Sequence, residues 1–471
     1  MKKLFCVLCA ITLLLAMFPL SARAAEDFSE YDYLGKPENW PYAPYYGRGF
    51  QYPIGGGLLF CADRGDHIEI YEARGLKGDV IIPETIQGKP VGTLFFENYP
   101  SVEGSHFFCF ELCDELTSLT LPASLKELDV YPDNIIYSIF GGKNLKELIF
   151  LGDGPELLPS GCISCFGNLE RVVLPKKVRE MEGFFSGVDP YSVQEGSNLL
   201  QEIVLNPSNP SFAKDQQGII YNKSLTKLIT AAEGSAGRTE LTLPHTVTEI
   251  AENGLSPNQE LERIYGGENV TRMRKDELIG CKNLNPFEDT YGHWGEESAK
   301  WAFQNQVFSG TRPFRFSPEG KMTRGMMVSV LYRMEGSPDP GWGSPFPDVP
   351  APMYYAKPIK WASANGIAVG YSESRFAPEE QISREQMASM LYRYAQRKKE
   401  PMDISARGGL TTFTDHRKIS DYAEEAMAWA VGEGFLSGKG DGRLDPQGTA
   451  TRAEVASMLQ RFWGKQTPID E

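Results

Sequence analysis

Histidine is scarce. Five residues, His67, His106, His245, His293 and His416, are dispersed through 471. None falls in the His-Glu-x-x-His spacing that puts two ligands for a catalytic zinc on one helix face. A G-x-S-x-G nucleophile elbow and a Walker phosphate loop are also missing, which removes the commonest signatures of hydrolases and nucleotide enzymes. Cys162-x-x-Cys165 has no second such pair, so the tetrahedral zinc pattern is incomplete. Basic charge is short, with 47 Lys and Arg against 62 Asp and Glu, for a net of −15. The deficit is uneven: residues 25–286 carry −16 and residues 287–471 only −2. An acidic front half disfavours nucleic acid and anionic surfaces as partners. Beyond Leu20 no run approaches 18 apolar residues, so nothing after it spans a membrane as a helix.

The opening segment, "MKKLFCVLCAITLLLAMFPLSARAA", has the form of a secretory signal peptide. Lys2 and Lys3 precede an apolar run, and Ala22 and Ala24 give an A-x-A site with cleavage expected after Ala24. A retained anchor is the alternative. Cys6 and Cys9 lie inside the apolar run, too early for lipid attachment. Six cysteines remain: Cys61, Cys109, Cys113, Cys162, Cys165 and Cys281. An even number in an exported chain permits disulfides. Cys113 and Cys281 each stand three residues before a leucine, in one repeated slot, which favours buried thiols.

The C-terminal third is one unit written three times. Trp301, Trp361 and Trp429 each precede an arginine, Arg324, Arg384 and Arg452, by 23 residues. Gly310, Gly370 and Gly438 precede the same arginines by 14, and Pro318, Pro378 and Pro446 by 6. Each unit opens on an aromatic and an acid two residues apart, ending at Asp289, Asp348 and Asp415. Five landmarks recurring in three copies, the tryptophan, glycine, proline and arginine at constant spacing, mark an internal repeat. The apolar period predicts a helix around each tryptophan, stopped near a glycine, and a second helix starting at the hydroxyl residue before each arginine. The third unit is offset by "RKKEPMDISARGG", read as a loop.

The hydroxyl residues have a local explanation. Thr451 with Glu454, and Ser383 with Gln386, form capping boxes, each worth about 1 kcal/mol. Thr323 stands at the start of the second helix of the first unit, but Gly325 and Met326 follow. The box is therefore missing, and a less ordered helix start is expected there. The arginine has no such explanation, because a cation in the first helical turn opposes the helix dipole. Two readings remain. One is an ion pair with a nearby acid such as Asp289, Asp348 or Asp415. The other is an anion site, in which free N–H groups of the helix start and the forked guanidinium together take a carboxylate or phosphate. "GKGDGRLDP" at 438–446 lacks the ligand order of a calcium loop and matches the preceding unit better.

These residues carry a resemblance. Residues 287 to about 464 resemble S-layer homology (SLH) repeats: the F-x-D opening, the tryptophan helix, the "GIAVGY" segment, "FAP" or "LDP", and "TRAE". The resemblance implies three repeats in a prism of pseudo-threefold symmetry around a helix bundle, binding secondary cell-wall polysaccharide in its grooves, commonly through a pyruvyl ketal carboxylate. It implies Arg324, Arg384 and Arg452 as contacts to that acid, with Asp289, Asp348 and Asp415 as the opening acids and Gly310, Gly370 and Gly438 as the loop glycines. If the sites differ in strength, the first repeat, lacking its box, is expected to be the weakest.

Between about 58 and 286, L-x-x-[LIV] recurs at Leu116/Leu119, Leu145/Leu148, Leu169/Val172, Leu200/Ile203, Leu225/Leu228 and Leu261/Ile264, at intervals of 24 to 36 residues. Several copies run on into a leucine-proline step, as in "LTLPASLKEL" and "LTLPHTVTEI". Short strand, turn and short strand at this spacing reads as a stacked array whose units cannot bury their leucines alone. The wording resembles BspA-like leucine-rich repeats, which implies a strand-rich solenoid that binds proteins or glycans and carries no catalytic residues; a spacer without a ligand is the alternative. Residues 25–57, rich in Tyr, Pro and Gly, read as an irregular segment or cap.

The expected fold class is a multidomain α+β chain: signal peptide 1–24, irregular segment 25–57, leucine-rich repeat solenoid 58–286, then SLH repeats at 287–345, 346–412 and 413–471. The expected function is that of a non-catalytic bacterial surface protein, Gram-positive by preference, without cofactor or metal. It is held non-covalently on wall polysaccharide and displays the solenoid to a protein or glycan. A self-assembling surface-layer component and, behind it, a surface enzyme are the other readings.

Overall fold

The computed structural model describes residues 49–96, 110, 113–130, 140, 144–163, 169–185, 200–235, 237–255, 258, 260–274, 277–278, 281–400 and 407–466. The signal peptide, Cys109 and Cys165 lie outside them. Strands occupy the front of the described chain and helices the back.

The leucine spacing translates directly into a parallel ladder. Strands Lys77–Ile81, Glu115–Leu121, Glu147–Phe150, Arg171–Val173 and Glu202–Val204 pair in parallel in that order. Val80, Leu119, Leu148, Val172 and Ile203 are successive partners, each at most 2% exposed. Alternation along a strand turns the next row outward. That row holds Asp79, Ser118, Glu147, Arg171 and Glu202, with Arg171 bonded to Glu202 at 2.7 Å. A second short strand follows several proline steps, as at Glu127–Val130 and Glu249–Ile250, and pairs in parallel with its predecessor.

Two expectations are corrected. Leu225 belongs to no inward row. It is 36% exposed with φ of +55°, at the turn between antiparallel strands Ile220–Asn222 and Lys227–Thr230. The Asn222 side chain accepts from the Thr226 and Lys227 N–H groups and shapes that turn. An inserted hairpin has the right spacing without the repeat's direction; Leu241, paired with Ile264, stands in a parallel pair there. The segment read as irregular also ends in order. Gly49–Ile54 is a strand paired with Gly57–Asp63 across Gly55 and Gly56, whose φ values of +55° and +76° suit a two-glycine hairpin turn.

Cys61, Cys113, Cys162 and Cys281 are buried, and Cys61, Cys113 and Cys281 are free thiols. Burial pushes these three thiols up to about 12, 11 and 12, so they are inert at neutral pH.

The strand region runs into the helical region without a gap. The Tyr291 hydroxyl donates to the Ile264 and Asn285 carbonyls and accepts from the Ile264 N–H, closing the end of the Arg263–Tyr265 strand. Phe314 packs into the apolar cluster of residues 219–284.

Each C-terminal repeat supplies two helices of nine residues or more: α1 (Glu296–Gln304) and α2 (Arg324–Met334), α3 (Ala356–Ala364) and α4 (Arg384–Lys398), α5 (Glu424–Gly432) and α6 (Arg452–Gln466). The tryptophan helices stop as the sequence anticipates: Gly366 and Gly434 take φ of +67° and +73°, and Gln306 takes the same place in repeat 1 at +56°. The tryptophan helix of each repeat packs on the arginine helix of the preceding one, α3 on α2, α5 on α4 and α1 on α6. The cycle closes at three residues. The Met322 N–H donates to the Ala450 carbonyl at 3.0 Å, Ala450 to Ile382 at 3.0 Å, and Ile382 to Met322 at 2.9 Å. All three are fully buried. Among the described residues no helix is long and apolar enough to cross a membrane.

Candidate functional site

The three arginines are not surface residues. Arg324, Arg384 and Arg452 are 4%, 2% and 8% exposed. Each reaches from its own helix start into the loop of the next repeat in the cycle. Arg324 Nε donates to the Phe376 carbonyl at 3.0 Å and Nη2 to Val369 at 2.8 Å. Arg384 does the same to Leu444 at 2.9 Å and Ser437 at 2.5 Å, and Arg452 to Phe316 at 2.6 Å and Ser309 at 2.9 Å.

The opening acids hold the same loops from the other side. Asp289 accepts from the Phe316 and Ser317 N–H groups, Asp348 from Phe376 and Ala377, and Asp415 from Leu444 and Asp445, at 2.7–3.0 Å. Acid and arginine therefore clasp one residue rather than pairing with each other; the ion-pair reading holds only for Arg384, whose partner is Glu454 at 2.8 Å rather than an opening acid. The residue after it, Ser317, Ala377 or Asp445, has φ of +59°, +60° or +55° and precedes a proline. Such a conformation persists only where surrounding contacts over-determine it.

The helix starts are also occupied, contrary to the expectation of free N–H groups. The Arg324, Arg384 and Arg452 N–H groups donate to the carbonyls of Glu380, Gly448 and Gly320 at 2.8–2.9 Å. The next N–H groups donate to Pro378, Pro446 and Pro318 at 2.8–3.0 Å. The third donate to Thr323, Ser383 and Thr451 at 3.2 Å. Repeat 1 thus begins its helix like the others despite lacking the box. Gly325 has a packing reason, because a Cβ there would meet the Pro378 carbonyl at 3.0 Å and the Tyr355 ring at 3.1 Å. Ser383 with Gln386 and Thr451 with Glu454 form the boxes anticipated. Gly310, Gly370 and Gly438 have no room for a Cβ either, meeting Phe287, Phe346 and Phe413 at 2.5–2.8 Å.

What remains open lies around the outer guanidinium nitrogens. Arg324 lies over the Tyr371 and Phe376 rings at 4.6 and 4.7 Å, and Arg452 over Phe308 and Phe316 at 5.1 and 4.7 Å. Burial lowers both guanidinium groups, Arg452 to about 10, and both stay charged at neutral pH. Residues not singled out from sequence join them. Trp294, Tyr354 and Tyr422 each stand seven residues before a repeat tryptophan and are 60%, 55% and 54% exposed. Tyr422 is an electrostatic neighbour of Arg324, and Tyr354 and Arg333 are neighbours of Arg452. That constant spacing was a signal available in the sequence. The Arg324 and Arg452 sites are thus each built from three repeats: the arginine of one, the loop of the next and the aromatic of the third.

Residues 286–326, 345–388 and 412–456 match the S-layer homology domain, so the chain carries three SLH domains. Among curated relatives, an amylopullulanase of Thermoanaerobacterium thermosulfurigenes is 28% identical over 37% of this chain and 9% of its own length. A surface-layer 125 kDa protein of Lysinibacillus sphaericus is 25% identical over 39% of this chain and 15% of its own. A cellulosome-anchoring protein of Acetivibrio thermocellus is 22% identical over 31% of this chain and 33% of its own. The chain therefore spans at most a third of the length of these relatives. Structural neighbours of the chain are leucine-rich repeat proteins. One from Eubacterium ventriosum is 19% identical over 51% of this chain and 72% of its own, with a TM-score of 0.24. The pneumococcal antigen PcpA is 15% identical over 50% and 69%, with a TM-score of 0.28.

Proposed function

We propose that this protein is held non-covalently at the bacterial cell wall by its SLH domains, with an acidic, pyruvylated secondary polysaccharide as ligand, and that residues 58–286 form one solenoid displayed to a protein or glycan. The observation that carries this is the pair of nearly buried arginines, Arg324 and Arg452, that face exposed aromatic rings where repeats meet. A desolvated guanidinium favours a carboxylate, and an aromatic face favours a sugar ring. Anchoring at the cell surface accords with the SLH match and with relatives named for surface layers and cellulosome anchoring. SLH and leucine-rich repeat modules do not catalyse reactions, and the enzymes among the relatives match over a small fraction of their length. The signal peptide and the domain boundaries given above complete the reading.

The test is co-sedimentation of the mature chain with purified cell-wall sacculi, before and after mild acid removal of ketal-linked pyruvate. Pelleting lost on stripping is the expected result. Failure to pellet with untreated sacculi overturns the anchor. Concentration-dependent assembly of the protein alone would then favour a surface-layer building block.

A further inference from the structure

Although the three arginines hold their loops alike, their third donor differs. Arg384 Nη1 donates to Glu454 Oε1 at 2.8 Å, with side chains 3% and 12% exposed. The same carboxylate pairs with Lys439 and accepts from the Thr451 N–H. Glu454 is thus a built-in carboxylate on that arginine. The equivalent position in repeat 2 is Gln386, whose amide donates to the Tyr371 hydroxyl at 2.9 Å and leaves Arg324 alone. In repeat 1 it is Met326, which has no charge to offer Arg452. Among the described residues, Nη1 of Arg324 and Nη1 of Arg452 have no hydrogen-bond partner. The Arg452 groove holds a second cation as well, Arg333, which donates to the Val307 carbonyl at 3.2 Å.

We propose that the grooves are unequal: the acidic sugar is taken at Arg324 and Arg452, while Glu454 occupies the Arg384 groove as an internal competitor. This rests on the wall-anchoring reading above. The residue at the third helical position sets each groove's state. Glutamate closes it; glutamine or methionine leaves the guanidinium for the ligand. The physical reason is local. A guanidinium already bidentate to loop carbonyls has one nitrogen left, and a neighbouring carboxylate on the same chain meets it at no cost in association entropy. An incoming carboxylate must displace that hydrogen bond and leave Glu454 and Lys439 to re-solvate. The ranking differs from the one that cap residues alone suggest, because the missing box in repeat 1 is what leaves the Arg452 groove open.

The test exchanges the two residues in the full mature chain. Glu454→Met copies the residue that repeat 1 tolerates at a well-formed helix start. Met326→Glu installs the competitor beside Arg452. Apparent affinity for untreated sacculi is measured by pelleting, with circular dichroism as a check on folding. Glu454→Met is expected to bind about tenfold more tightly and Met326→Glu about tenfold more weakly, the effect of a single charge-assisted hydrogen bond. Should Glu454→Met fail to fold, Met326→Glu decides alone. Wild-type pelleting with unchanged variants overturns the unequal grooves and leaves the anchor standing. No pelleting by the wild type overturns the anchor, and this inference with it.

Discussion

Asp289 and Arg452, 163 positions apart in sequence, meet at Phe316: the acid accepts its N–H at 2.8 Å and the arginine donates to its carbonyl at 2.6 Å. The arrangement recurs at Phe376 with Asp348 and Arg324, and at Leu444 with Asp415 and Arg384. The motif arginine is a structural staple between repeats before it is anything else.

A consequence is that alanine at the arginine removes more than a ligand contact. Arg452→Ala leaves the buried Phe316 carbonyl without its donor and removes the part-buried bond to Ser309. The expected cost is about 2 kcal/mol, since a buried acceptor left unpaired costs about 1–3 kcal/mol. Denaturant titration of the variant measures it; a change below about 0.5 kcal/mol would contradict the staple.

Acid should release the third loop. Burial raises the Asp415 carboxyl, but the Leu444 and Asp445 N–H groups outweigh it and hold the group below its ordinary value of 3.8. A depressed folded value means stability present above the unfolded value and lost as pH falls through the folded one. The wild type should therefore lose stability relative to Asp415→Asn below about pH 4, and the difference between them should be constant at higher pH. Thermal melts of the pair across pH 3–6 check this.

Leu225 and Leu228 offer a clean contrast, because spacing gives them equal rank and the fold does not. Leu228 is fully buried and Leu225 is 36% exposed. Leu228→Ala should cost about 3 kcal/mol, as buried leucine truncations do. Leu225→Ala should fall within about 0.5 kcal/mol of the wild type, as exposed substitutions do. Equal losses would restore Leu225 to the inward row.

Much of the fold is legible in the sequence because its causes are local. The inward residues Leu119, Leu148, Val172 and Ile203 follow from strand alternation at repeat spacing, and Thr451 with Glu454 from the chemistry of a helix start. Leu225 misleads because a hairpin can reproduce a spacing while reversing the chain, and periodicity carries no direction. Trp294, Tyr354 and Tyr422 do not stand out from sequence, although their spacing is as regular as that of the glycines.

The sequence by itself determined the repeats, their helices and the identity of the residues that recur, since hydroxyl caps, glycine stops and apolar periods act within a few residues. Only the tertiary structure decided what the arginines touch. Their acceptors lie 45 to 143 residues away, on loops that arrive only when the ring through Met322, Ile382 and Ala450 closes. Closure fills the first two N–H groups of all three helix starts with a neighbour's carbonyls and brings the Glu454 carboxylate onto Arg384 of the preceding repeat.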